Sequence, residues 1–159
     1  MKKVFFNDDL IEKILSRSLT HFINICKSNY LNRSYHQFQI FKNLKCYSDL
    51  EAVFYWADTN GNKVLEKPTY KPGTEVAIAQ PYSSIIIYVQ HDVLSTTLLQ
   101  SKGWDNKMFV EADLMPHRIK ILNVRLQKLQ DCSDNRAFVN ENIWNENPYM
   151  FLYEFELIK

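Results

Sequence analysis

YKPGTEVAIAQPY, residues 70–82, is the stretch on which the reading of the fold turns. Pro72 presets the first corner of a turn, and Gly73 tolerates positive φ at the second. The run 75–79 then reads as a strand. Working outward, Ile85-Ile86-Ile87 opens a second strand over 85–90, apolar on both sides and so central in a sheet. Residues 108–112 and 118–126 read as two more. In the latter, Ile119, Ile121 and either Val124 or Leu126 share an inward face only if the strand bends or bulges. Phe151, Tyr153, Phe155 and Leu157 alternate with Leu152, Glu154, Glu156 and Ile158, a closing strand with one wetter face. Upstream, 53–56 and 63–65 flank Asp58-Thr59-Asn60-Gly61-Asn62, a hairpin pattern with Asn-Gly in or near the turn. Those five residues do not make a calcium loop, because Lys63 stands at its sixth position and Thr69 at its twelfth.

Two helices are expected. Asn7, Asp8 or Asp9 caps the first, whose apolar stripe is Leu10, Ile11, Ile14 and Leu15, with Leu19 at its margin. It fades near 16–20, where hydroxyl side chains compete for backbone bonds. Ser133 caps a short second helix through Asn142. Residues 21–50 show no sustained period and read as irregular with short strands. About six strands and two helices without repeated βαβ spacing predict an α+β fold. The expected architecture is a small, partly closed mixed β-barrel with the N-terminal helix across its mouth.

The chain of 159 residues is 46% hydrophobic and fits a single domain spanning 1–159. Lysine and arginine number 19 against 18 acidic residues, so the basic excess expected of a duplex-coating protein is missing. Cys26, Cys46 and Cys132 are scattered and odd in number, which suits thiols in a reducing compartment and lacks metal-ligand spacing. No metal or cofactor is expected. Asp8 and Asp9 interrupt the opening before a signal peptide can form, and no apolar run is long enough to span a bilayer. The expectation is a cytoplasmic protein without membrane partners; the oligomeric state stays open.

Glycine-rich phosphate loops, HExxH and nucleophile elbows are absent from the sequence. Three spots remain as candidate ligand contacts. Arg17, Thr20 and His21 concentrate polar groups where the first helix ends, in a pattern that also suits a solvated terminus. Gln80 and Tyr82 follow the 75–79 strand. A Gln amide both donates and accepts, as a nucleobase edge requires, and Tyr82 offers a stacking face; a loop amide beside a core tyrosine is the alternative. His117, Arg118 and Lys120 gather charge at the mouth of a strand, either to meet phosphate or to guard an edge against aggregation. Neither His21 nor His117 has an assignable acidic partner or nucleophile, so no catalytic set is expected.

The order of these pieces resembles the ASCH domains, relatives of the PUA fold, in particular versions found in phages and bacterial mobile elements. The likeness rests on YKPGTEVAIAQPY, on WDNKMFVEADLMPHRIKILNVRLQKLQD at 104–131 and on WNENPYMFLYEFELIK at 144–159. It covers 1–20 and 64–159, leaving about 21–55 as a divergent segment. It implies a PUA-like barrel with a cleft for RNA or a modified nucleoside. Some small members are amidohydrolases acting on acetylated cytidine. Against their motif, Arg17 stands where glycine is expected, Leu19 where the catalytic lysine is, and Phe22 where the nucleophilic threonine is. Thr20 keeps the first threonine, Asn24 replaces an arginine, Ala79 another, and Gln80 stands in for the glutamate. Losing ammonium, hydroxyl and carboxylate together removes both the nucleophile and its activators. The resemblance therefore implies a non-catalytic RNA- or nucleoside-binding module. A protein-interaction or structural module and a divergent amidohydrolase with Thr20 as nucleophile remain open alternatives.

Overall fold

The computed structural model describes residues 1–26, 54–57, 63–66, 68–88 and 97–159. Strand β1 (Lys2–Val4) leads into helix α1 (Asp8–Leu15). The side-chain oxygen of Asn7 accepts from the Leu10 amide at 2.9 Å, Asp8 and Asp9 occupy the positive end, and Ile11 and Ile14 are buried. Strands β2 (His21–Ile25), β3 (Phe54–Ala57), β4 (Lys63–Glu66), β5 (Glu75–Ile78), β6 (Arg118–Lys128) and β7 (Tyr149–Leu157) follow. β3 and β4 pair antiparallel as the hairpin pattern predicts, while its turn, 58–62, lies outside the described residues. Much of the divergent segment also lies outside them.

The other five strands form one sheet in the order β1-β5-β6-β7-β2. β1 runs parallel to β5, whereas β5–β6 and β7–β2 are antiparallel, so the sheet is mixed. This corrects the expected barrel: β1 and β2 end the sheet on either side and do not pair, leaving it open. The physical reason lies in two segments that read as strands and are not. Pro81 precedes a helical turn, Tyr82–Ile85, continued as a 3₁₀ turn at Ile86–Tyr88. The hydroxyl of Ser84 bonds the Pro81 carbonyl at 2.8 Å, and the turn buries Ile85 fully while leaving Ile87 76% exposed. Similarly, 107–114 folds as two 3₁₀ turns, Lys107–Phe109 and Ala112–Leu114. The PUA-like barrel therefore lacks strands with which to close. The expected helix from 133 to 142 is also displaced: Ser133–Phe138 is 3₁₀, and the α-helix is Glu141–Glu146, capped by the Asn140 side chain at 2.9 Å. No helix among the described residues is long and apolar enough to cross a membrane.

The chain divides into two compact units, and β6 and β7 contribute residues to both. The first unit comprises Met1–Thr20, Gly73–Ile121 and Phe155–Lys159. Its core includes Ala77, Ala79, Tyr82, Ile85, Leu98, Val110 and Met115. Gly103 is required here, because a Cβ would stand 2.5 Å from Cε2 of Tyr82 and 3.1 Å from the Phe109 carbonyl. The second unit comprises His21–Pro72 and Leu122–Glu154. Residues Ile23 and Ile25 of β2 lie opposite Leu152 and Met150 on a face shared with Leu129, Ile143 and Trp144. On the other face Phe22 stacks on Tyr153 with ring centroids 4.8 Å apart, and Tyr70 meets both rings edge-on. The Tyr153 hydroxyl accepts from the Thr69 amide at 2.9 Å.

Two kinds of outcome are expected. Gly103→Ala should destabilise the fold by about 1–3 kcal/mol in chemical denaturation, because overpacking displaces a buried ring. Gly73→Ala, at φ +84, is strained despite the open space around it and should cost about 1–2 kcal/mol. The second outcome concerns alkali. Burial, followed by the neighbouring Tyr153, pushes the Tyr70 phenol from 10.0 up to about 12. The neutral phenol is thus the form the fold favours. Its contribution is complete below the unfolded value and disappears as pH rises through the folded one. Stability should fall between pH 10 and about 12 in thermal melts, and less steeply in Tyr70→Phe.

Candidate functional site

The first helix ends in a way that decides where Arg17 goes. The amides of Ser18 and Leu19 both reach back to the Lys13 carbonyl, at 2.9 and 3.1 Å, which forces the residue between helix and exit into the left-handed region. Arg17 occupies it at φ 61, the conformation that favours glycine, and stands where the ASCH resemblance expects one. From there its guanidinium Nη1 donates to the Leu157 carbonyl at 3.1 Å.

Pairing of β5 with β6 brings further basic groups to the same three residues, 157–159. Glu75 lies opposite Lys120, Val76 opposite Ile119 and Ala77 opposite Arg118, and the Ile78 amide donates to the His117 carbonyl at 3.0 Å. The Arg118 carbonyl in turn accepts from Ile158 at 3.0 Å, and Nδ1 of His117 stands 3.3 Å from the Lys159 carbonyl. The side chains of Arg17 and His117 and the backbone of Arg118 therefore each contact residues 157–159, all within the first unit. Arg118 shares the sheet face of its partner Ala77. Its Nε is buried without a hydrogen-bond partner among the described residues.

Gln80 lies three residues past the Ala77–Arg118 pair. Its amide N–H points at the Met115 sulfur, 3.3 Å away, and its side-chain Oε1 is likewise buried without a partner among the described residues. The remaining candidates fall elsewhere. Tyr82 is buried in the core, with its hydroxyl accepting from the Glu111 amide at 2.8 Å and its ring against Gly103. At 3% exposure the ring is core, and the stacking role read for it has no exposed surface in this structure. Lys120 is exposed and faces Glu75 across the ladder. Thr20 is exposed, and its carbonyl accepts from Phe155 at 2.9 Å. His21 belongs to the second unit, opposite Glu154 and edge-on to Phe138 at 5.5 Å, with a buried, unpartnered Nε2. Glu154 there binds Arg125 at 2.8 Å.

Reasoning from sequence missed residues 157–159 as the meeting point. The alternation of Phe155 and Leu157 marked a strand, yet nothing in its spacing named Arg17 and Arg118 as neighbours. Phe22, at the position of the expected nucleophile, is a core ring. Among the described residues no group of three His, Cys, Asp or Glu side chains is placed to hold a metal ion. No protein-family model matches the chain, and no curated protein or solved structure matches it either. The ASCH resemblance gains no support from these comparisons, and its barrel is at odds with the open sheet.

The strained Arg17 yields a prediction that separates folding from binding. Arg17→Gly should leave the melting temperature unchanged or raise it, since a non-glycine residue in the left-handed region costs about 1 kcal/mol. The same variant should lose anion affinity. A parallel fall in both would make Arg17 a structural residue only.

Proposed function

We propose that the chain is a non-catalytic binding module whose ligand is a nucleoside phosphate, free or as one residue of an RNA. The observation that carries this reading is the pair of unpartnered buried atoms in the first unit, the donor Nε of Arg118 and the acceptor Oε1 of Gln80. A buried polar group left unpaired costs about 1–3 kcal/mol, so two of them invite a ligand that offers the complementary acceptor and donor. A nucleobase edge carries donors and acceptors, and a phosphate satisfies a guanidinium. Arg17, whose guanidinium reaches the end of β7, adds a further cation within the same unit. The ligand is bound rather than hydrolysed on this reading, because Leu19 and Phe22 supply neither the ammonium nor the hydroxyl that acyl transfer needs.

Calorimetric titration with uridine and cytidine monophosphates, inorganic phosphate and a short oligoribonucleotide tests it. Arg118→Met keeps the aliphatic stem and deletes the guanidinium. It should weaken nucleotide binding about tenfold or more, in line with about 1.5–3 kcal/mol for a hydrogen bond to a charged group. Melting temperature should not fall, because no protein partner loses a bond. Gln80→Leu should reduce nucleotide affinity while sparing inorganic phosphate. Wild-type protein that binds none of the probes, or Arg118→Met that binds like wild type, would overturn the reading.

A further inference from the structure

The two ends of the five-stranded sheet are equipped differently for meeting a further strand. β1 carries Lys2 and Lys3 within three residues, and charged side chains on an edge strand discourage pairing. β2, with the sequence HFINI, carries no Lys, Arg, Asp, Glu or Pro to guard its edge. Its hydrogen bonds show which backbone groups it leaves over. The Phe155 amide donates to the Thr20 carbonyl at 2.9 Å and the Cys26 amide to the Tyr149 carbonyl at 3.1 Å. Hydrogen-bonded pairs alternate along an antiparallel ladder, so Phe22 and Asn24 bond to Tyr153 and Phe151, their partners on β7. His21, Ile23 and Ile25 therefore turn their N–H and C=O groups away from β7. Among the described residues no strand pairs with β2 on that side. The side chains there are also incompletely covered: Ile23 and Ile25 are only partly buried, whereas Met150 and Leu152 opposite them are buried.

We infer that this edge pairs with β2 of a second copy of the chain, antiparallel, about a two-fold axis at Ile23. Two features select a second copy. The outward-facing residues are spaced evenly about Ile23, so a reversed β2 lays every outward donor on an outward acceptor. Ile23 then faces Ile23 of the partner subunit, and His21 faces Ile25 of the partner subunit. Like charges directly opposite one another destabilise a strand pair, and a strand without Lys, Arg, Asp or Glu meets its own sequence without that cost. The pairing joins two sheets through their β2 edges and draws Ile23 and Ile25 further from water. It closes at two copies, because the isologous contact uses the same edge on both subunits and the lysines of β1 guard the other.

The test is sedimentation velocity of the full chain over a dilution series, with amide hydrogen exchange followed by NMR at the two ends of that series. A single short strand pair is a small interface, so the dimer should form in concentrated samples and dissociate on dilution. The amides of His21, Ile23 and Ile25 should be protected in the dimer and lose that protection on dilution. Those of Phe22, Asn24 and Cys26, bonded to β7, should stay protected throughout. Ile23→Lys sets two ammonium groups against each other at the axis and should weaken the dimer about tenfold or more. The exchange pattern of the wild-type chain decides the matter even if that variant folds poorly. A monomer at every concentration would overturn the inference and leave the edge to a foreign strand. A dimer in which the amides of His21, Ile23 and Ile25 exchange freely would overturn it too. So would protection of these amides that dilution does not change, since its source would lie within one chain.

Discussion

The register that sets Ala77 opposite Arg118 is the constraint from which the first unit follows. It is pinned at its far end by the Pro-Gly turn, where the Gly73 amide donates to the Ile121 carbonyl at 2.7 Å and the Ile121 amide returns to Thr74 at 2.9 Å. Gly73 adopts the positive φ that this exchange requires. With the register fixed, Val76 and Ile119 are fully buried as partners, Lys120 is set against Glu75, and Arg118 is turned to the face of Ala77. A slip of one residue would exchange the faces of Arg118 and Ile119 and move the guanidinium to the side of the sheet on which Val76 and Ile119 pack.

In a chain with a net charge of only +1, that same register sets basic residues beside the end of β7. β6 delivers His117 and Arg118, the left-handed exit from α1 delivers Arg17, and the end of β7 supplies the carbonyls on which they settle. Those carbonyls hold the Arg17 guanidinium and face the His117 ring, whereas Arg118 meets them through its backbone. A guanidinium carries five N–H groups, and the backbone of 157–159 does not reach Nε of Arg118. On the proposed reading the chemistry of this site is recognition. Hydrogen-bonding capacity is held in place by strands, while the positions at which the ASCH resemblance expects reactive groups hold Leu19 and Phe22, the latter in an aromatic core.

The sequence made the locally determined elements legible. The α1 cap and stripe, the Pro-Gly turn, β5, β6 and β7 each follow from capping, turn chemistry or alternation within a few residues. It misled where β-branched and aromatic residues sit in capped turns. Ile85-Ile86-Ile87 looks like a strand, yet Pro81 and Ser84 start a helical turn that sends one isoleucine inward and another into solvent. Asn106 does the same for Met108 and Phe109. Losing those two strands turned an expected barrel into an open sheet. β1 and β2 are short and take their conformation from β5 and β7, so their own residues gave little sign of them. Of the site, the residue types were legible and the geometry was not. Arg17, Gln80, His117 and Arg118 stood out by chemistry, but sequence spacing does not reveal cross-strand neighbours, and Tyr82 gave no sign that Glu111 and Gly103 would bury it.

The central claim is that Nε–H of Arg118 waits for an acceptor that a ligand brings. The most direct measurement follows that N–H group by NMR in ¹⁵N-arginine-labelled protein during titration with uridine monophosphate. The account predicts that the Arg118 Nε–H resonance moves downfield and exchanges more slowly with water as the ligand saturates. An Arg118 resonance that stays put while other signals report binding would place the ligand elsewhere and contradict the account.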